Sequence, residues 1–224
     1  MVLRSLLVLT FIAGSLSAGE AEDKRMEAAA VTLKEIMDVA DKAIPQDLFS
    51  KASCAVIIPG LKKGGFIVAG QYGRGFASCR QPDGKGWTAP AAMRMEGGSV
   101  GLQIGGQEAD IVLLVMSQKG MERLTSSKFT LGADASVAAG PVGRSTTAAT
   151  DITMRAEILS WSRSRGVFGG IALKGSTLRP DREVDTIVYG KEMDSKEILR
   201  GNVPVPAGGQ ELVSLLNKYS GRAN

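Results

Sequence analysis

The sequence predicts an α+β protein, a single glycine-rich antiparallel β-sheet or barrel-like domain flanked by N- and C-terminal helices. Three observations carry that expectation. A helical apolar stripe runs from Met26 to Ile44, short apolar runs separated by glycine fill residues 54 to 116, and capped helical patterns return after Pro180. The chain has 28 glycines in 224 residues and 5% aromatic residues. That glycine share is about twice the average, which implies tight turns and close approaches of one backbone to another.

The first segment reads as an address. Arg4 precedes an apolar run from Leu6 to Gly14, and small residues follow from Ser15 to Gly19. This is the three-part pattern of a secretory signal peptide over residues 1–18, and the apolar run is well short of the roughly 20 residues a spanning helix needs. The expected location is therefore secreted or periplasmic, free of the membrane or peripheral to it. Removal of Arg4 with that segment takes the formal charge from +4 to +3. Such a mild excess speaks against a dedicated nucleic-acid binder.

Residues 19–46 form the next unit. Met26, Ala30, Leu33, Met37, Ala40 and Ile44 recur at steps of four and three, predicting an amphipathic helix that runs to Pro45. Its other face carries Glu27, Glu35, Asp38 and Asp41 with Lys34 and Lys42, a net acidic surface that anionic lipid would repel. The stripe is expected to pack on the domain core rather than insert into a membrane.

Residues 47–224 supply the domain proper. Strands are predicted over 54–58, 66–69, 75–79, 91–95, 100–104 and 111–116, with turns at Gly60-Leu61-Lys62-Lys63-Gly64, Gly73-Arg74-Gly75 and Pro82-Asp83-Gly84-Lys85-Gly86. Ile111 to Met116 has no polar interruption, so that strand should be buried on both faces. Ser117 is placed to cap a short helix carrying Met121 and Leu124. Between residues 151 and 165 the alternation assigns Ile152, Met154, Ala156 and Ile158 to a core face. Arg155, Glu157, Leu159, Trp161, Arg163 and Arg165 fall on a polar, aromatic and basic one. Two helices follow, 181–189 ended by Gly190 and 194–200 ended by Gly201. A last one presents Leu212, Leu215, Leu216 and Tyr219.

Two cysteines permit one intramolecular pairing, Cys54 with Cys79. In an exported protein a bridge is possible; a three-strand meander would instead separate the two sulfurs, leaving buried thiols.

Catalytic patterns fail on their chemistry. Gly97-Gly98-Ser99-Val100-Gly101 fits the nucleophile-elbow spacing, but the chain has no histidine to act as base. The same lack, with only two cysteines, speaks against zinc. The glycine run from Gly60 to Gly65 leads into Phe66 rather than the lysine of a phosphate-binding loop. Asp110, Asp134, Asp151 and Glu157 have no spacing that favours acid–base work over turn capping. The expectation is a protein that is not an enzyme and uses no cofactor. What remains is basic and aromatic surface. Lys62 and Lys63 on a turn, with Trp161, Arg163 and Arg165 on one strand face, suit phosphate head groups; the alternative is a solvated strand end with the Trp packed under a helix.

Four segments together are distinctive: AVIIPGLKKGGFIVAGQYGRG from Ala55, GWTAPAAMRMEGGSVGLQIGGQEADIVLLVM from Gly86, SSKFTLGADASVAAGPVGR from Ser126 and AEILSWSRSRGVFGGIALKGS from Ala156. They resemble the SYLF domain family, shared by yeast actin-patch proteins and animal phosphoinositide-binding adaptors and also found alone in secreted bacterial proteins. The resemblance runs from about Leu48 to about Leu216. It implies a lipid-binding module, and it places Lys62, Lys63, Arg163 and Arg165 inside matching motifs as contacts to lipid phosphates. Export would keep anionic phospholipid as the partner and make actin an unexpected one. The remaining alternatives are docking to an acidic protein of the cell envelope, or carriage of an acyl chain within the sheet.

Overall fold

The computed structural model describes residues 2–39, 43–65, 68–100, 106–142, 155–164, 167–169, 173–201 and 203–221. Its centre is a nine-stranded sheet. The strands are β1 (Cys54–Gly65), β2 (Val68–Cys79), β3 (Ala91–Val100), β4 (Gln107–Val115), β5 (Phe129–Thr130), β6 (Val137–Ala139), β7 (Ile158–Ser164), β8 (Val167–Gly169) and β9 (Thr177–Pro180). Their order is β5-β9-β3-β2-β1-β4-β7-β6, with β8 also on β7. Every pairing is antiparallel except β6 with β7. The sheet is curled into a half-barrel with helices from both ends of the chain against it, as the sequence predicts.

Both faces of the sheet are buried. One is covered by α1 (Val2–Met37), α2 (Gln46–Lys51) and α6 (Gln210–Tyr219): Met26, Leu33 and Ile36 meet Ile57, Phe76, Leu114 and Leu216 there. The other gathers Val56, Ile58, Met93, Leu113 and Leu178 under Leu124 of α3 (Gln118–Leu124) and Ile198 of α5 (Ser195–Ile198). Ile111 to Val115 is fully buried, as the uninterrupted run predicts, each large side chain contributing about 1.5–3 kcal/mol against its exposed state.

α1 ends earlier than the stripe suggests. The helix stops at Met37, and Ile44 reaches the core from the segment that follows. The apolar face nevertheless packs on the sheet. Among the described residues no helix is long and apolar enough to cross a membrane.

The larger departure concerns β1 and β2. The segments 60–64 and 73–75 are not turns but the interiors of two long strands that form one hairpin. The glycines serve a bulge. Gly60 sits at φ 60°, and the register shifts between Ile58 and Leu61. The bulged strand then lies so close to β2 that a Cβ at Gly75 would overlap the Ile57 carbonyl. Because the hairpin is long and regular at its far end, Cys54 stands directly opposite Cys79, and the two are joined by a disulfide.

The chain ends are pinned by polar groups. Arg80 donates to the carbonyls of Phe49, Ser50 and Ala52 at the end of α2 and to Ser220 Oγ, with its guanidinium 4.2 Å from the Trp87 ring centre. Asp185 of α4 (Arg182–Tyr189) is fully buried; it accepts from the Ala92 N–H at 2.7 Å and the Ser195 hydroxyl at 2.6 Å. Burial pushes its pKa up to about 6 despite those two bonds. The predicted caps are in place. Ser117 accepts from Gly120 N–H, Asp194 accepts from Lys196 N–H, and Gly190 and Gly201 take positive φ.

Candidate functional site

The hairpin carries its basic residues to one end of the sheet. There an open groove of about 950 Å³ is lined by Lys62 and Lys63 of β1, Gln71 and Tyr72 of β2, Glu108 and Asp110 of β4, and Arg163 of β7. Lys62 is exposed and Lys63 half-buried. They lie in a strand, not on the tip of a turn, because the bulge at Gly60 lets β1 continue past them in register with Tyr72 and Gln71. Among the described residues neither lysine has an ion-pair partner, although Glu108 stands opposite Lys62 in register; as neighbours on one strand the two lysines leave opposite faces of the sheet at the end where the groove lies.

Arg163 is held differently. Its guanidinium donates to Asp110 Oδ2 at 2.7 Å and to a Glu35 carboxylate oxygen on α1. Burial alone would lower its pKa, but the bonds to Asp110 and Glu35 outweigh that and raise it. Asp110 also accepts the Gly60 N–H at 3.0 Å, so one carboxylate ties the β1 bulge to the Arg163 side chain across β4. This is a positioning role for a residue whose spacing suggested no more than capping. Asp134 and Glu157 are structural too: Asp134 accepts the Thr130 N–H at 2.7 Å, and Glu157 pairs with Arg123 at 3.5 Å.

Trp161 does not join the groove. It is 3% exposed, donates its indole N–H to the Pro141 carbonyl at 2.9 Å, and packs so closely on Gly140 that a Cβ there would overlap the ring. The predicted polar face of β7 is therefore a covered one, with Leu159 and Trp161 in the helix-side core. The alternation correctly groups Trp161 with Arg163 but says nothing of the layer above them. Arg165, Asp151, Ile152 and Met154 lie outside the described residues. The structure thus brings Lys62, Lys63 and Arg163 together, separates Trp161 from them, and adds Glu35, Glu108, Asp110 and Tyr72. Glu35 could have been found only by knowing how α1 docks.

Ser99, in the elbow-like spacing, lies within β3 opposite Ala69 rather than on a sharp turn. Among the described residues no cluster of His, Cys, Asp and Glu could hold a metal ion.

Comparison with known proteins bears on this geometry. The model of a family described as Ysc84, Las17-binding protein actin regulator, matches residues 96–219. The rat SH3 domain-containing YSC84-like protein 1 is 32% identical over 198 residues, covering 86% of the chain and 58% of the relative. Protein YSC84 of Saccharomyces cerevisiae is 34% identical over 180 residues, covering 79% of the chain and 38% of the relative. LAS seventeen-binding protein 3 of the same species is 34% identical over 180 residues, covering 79% of the chain and 39% of the relative. The chain therefore spans little more than half of the rat relative's length and less of the yeast ones.

Proposed function

The chain belongs to the Ysc84 family, also called SYLF, and on that premise we propose that it is a non-catalytic binding module whose groove takes the phosphate groups of anionic phospholipids at a membrane surface. The observation that carries this reading is that Lys62 and Lys63, neither of them ion-paired among the described residues, line an open groove together with Arg163. Ammonium groups near an anionic surface contribute about 1 kcal/mol each, so the two lysines supply about 2 kcal/mol, roughly 30-fold in partitioning. The apolar face of α1 is occupied by the sheet, so this helix has no free apolar stripe to insert into lipid and contact falls to the charged groove. An exported, periplasmic or secreted location fits the amino-terminal pattern and names an envelope membrane as the surface. Co-sedimentation with vesicles of phosphatidylcholine, with and without phosphatidylglycerol, tests the reading. Binding that ignores the anionic lipid overturns it.

A second reading rests on the family's description as Las17-binding actin regulators. The same cationic groove suits an acidic protein surface, whether actin or an envelope protein. Sedimentation with filamentous actin, and capture of a protein from detergent-cleared envelope extract, separate this reading from the first. The remaining alternative, an acyl chain inside the sheet, competes with Val56, Ile58, Met93, Leu113 and Leu178, which fill the inner face.

A further inference from the structure

The sheet has a second basic concavity at its opposite end, and it differs in kind from the groove. It measures about 470 Å³ and is bounded by Lys51 at the end of α2, Ser53 just before β1, Arg80 and Gln81 just after β2, Gln118 and Met121 of α3, and Leu199 and Arg200. Three of its lining residues are cationic and none is acidic, whereas the groove holds Glu108 and Asp110 among its cations. Its volume is that of a site for a small organic molecule.

Its floor is rigid. The Cys54–Cys79 disulfide joins the residues next to Ser53 and Arg80, and the Arg80 N–H donates to the Ser53 carbonyl at 2.8 Å. The Arg80 side chain is committed to the α2 carbonyls and Ser220, so it contributes a fixed positive charge rather than a mobile donor. Lys51 and Arg200 are exposed at the rim, and among the described residues neither has an ion-pair partner. Leu199 and Met121 add an apolar wall.

We propose that this pocket is a separate binding site for a small soluble organic phosphate, whose anionic group is held by Lys51 and Arg200 in the field of Arg80 and whose carbon skeleton rests on Met121 and Leu199. Its position argues for a soluble ligand over a headgroup in the same bilayer. From Cys54 to Lys62 the strand advances eight residues, roughly 25 Å, so a membrane contacting the groove leaves this pocket well above the lipid plane. The bound chain would then join a membrane at one end of its sheet to a metabolite at the other.

Calorimetric titration of the full chain with glycerol 3-phosphate and with inorganic phosphate tests this, beside vesicle sedimentation of the same proteins. The proposal expects glycerol 3-phosphate to bind more tightly than inorganic phosphate. It expects about tenfold weaker binding in the double variant Lys51→Ala/Arg200→Ala and unchanged binding in Lys62→Ala/Lys63→Ala. Both variants change exposed or rim residues, and their circular dichroism and melting points report whether they fold. Equal loss in both variants, no loss in the first, or no binding of either probe at millimolar concentration overturns the proposal. So does a Lys51→Ala/Arg200→Ala variant that loses vesicle binding instead, which would put this end of the sheet on the lipid. Failure of vesicle binding in the wild-type chain bears on the groove alone.

Discussion

Glu35→Gln should make the chain a better ligand for anionic vesicles while making it slightly less stable. Arg163 is shared between Asp110 and Glu35, so a lipid phosphate must displace a carboxylate before it can use that guanidinium. Glu35 is the weaker of the two holds, because its side chain is 47% exposed against 22% for Asp110. Exposed ion pairs are worth about 0.2–1 kcal/mol. With Arg163 only 20% exposed, the upper half of that range applies, about 0.5–1 kcal/mol. Deleting the charge should therefore lower the unfolding free energy by no more than about 1 kcal/mol and raise vesicle affinity roughly 2- to 5-fold. Urea unfolding gives the first quantity and vesicle co-sedimentation the second. The gain in affinity should vanish near 1 M salt, where the Debye length falls to about 3 Å. Loss of stability with affinity unchanged or lowered would refute the reasoning, because it would mean that Arg163 does not meet the anion.

Three further consequences concern the scaffold. Burial raises the Asp185 pKa to about 6, so its neutral form stabilises the fold fully below the unfolded value near 3.8, and that stability is lost as pH rises through 6. The loss amounts to about 3 kcal/mol. In Asp185→Asn, whose amide oxygen can still accept from Ala92 N–H and whose NH2 can donate to the Ser195 hydroxyl without any ionisation, urea midpoints from pH 4 to 7 should lack that decline, and parallel pH profiles in the two proteins would contradict the assignment. Arg80→Ala strips the α2 carbonyls and Ser220 of their donor and should cost about 3 kcal/mol, with Arg80→Lys recovering less than half; a loss under 1 kcal/mol in thermal melts would contradict this. Reducing the Cys54–Cys79 bridge, with 25 residues of sequence separation, should cost about 3.5 kcal/mol on loop entropy, read from melts with and without reductant. An unchanged melting point would mean that the β1–β2 register holds the hairpin without it.

Much of this architecture is legible in the sequence, and the failures share a physical cause. Local signals survive folding unchanged: the Ser117 and Asp194 caps, the glycine stops at 190 and 201, and the apolar run 111–115 depend on neighbouring residues alone. Glycine is ambiguous because it permits both a turn and a close approach. At Pro82-Asp83-Gly84-Lys85-Gly86 it makes the turn, with Gly84 and Gly86 at positive φ. At Gly73 and Gly75 it makes room for the bulged β1. Reading those glycines as turns splits one hairpin into several strands, which is why the cysteines look distant when they are opposite each other. The site shows the same limit. Lys62, Lys63 and Arg163 can be selected as basic residues within motifs, and the fold does gather them. That Trp161 is covered by the segment through Gly140 and Pro141, and that Arg163 is held by a carboxylate 128 residues away on α1, depends on distant packing.

The central claim is that the charge at the groove binds the membrane. Its most direct test is the partition coefficient of wild type and Lys62→Ala/Lys63→Ala on phosphatidylglycerol-containing vesicles, measured at low and high salt. The groove predicts a roughly 30-fold loss at low salt that shrinks as salt is added. Equal partitioning of the two proteins, both folded, would contradict it.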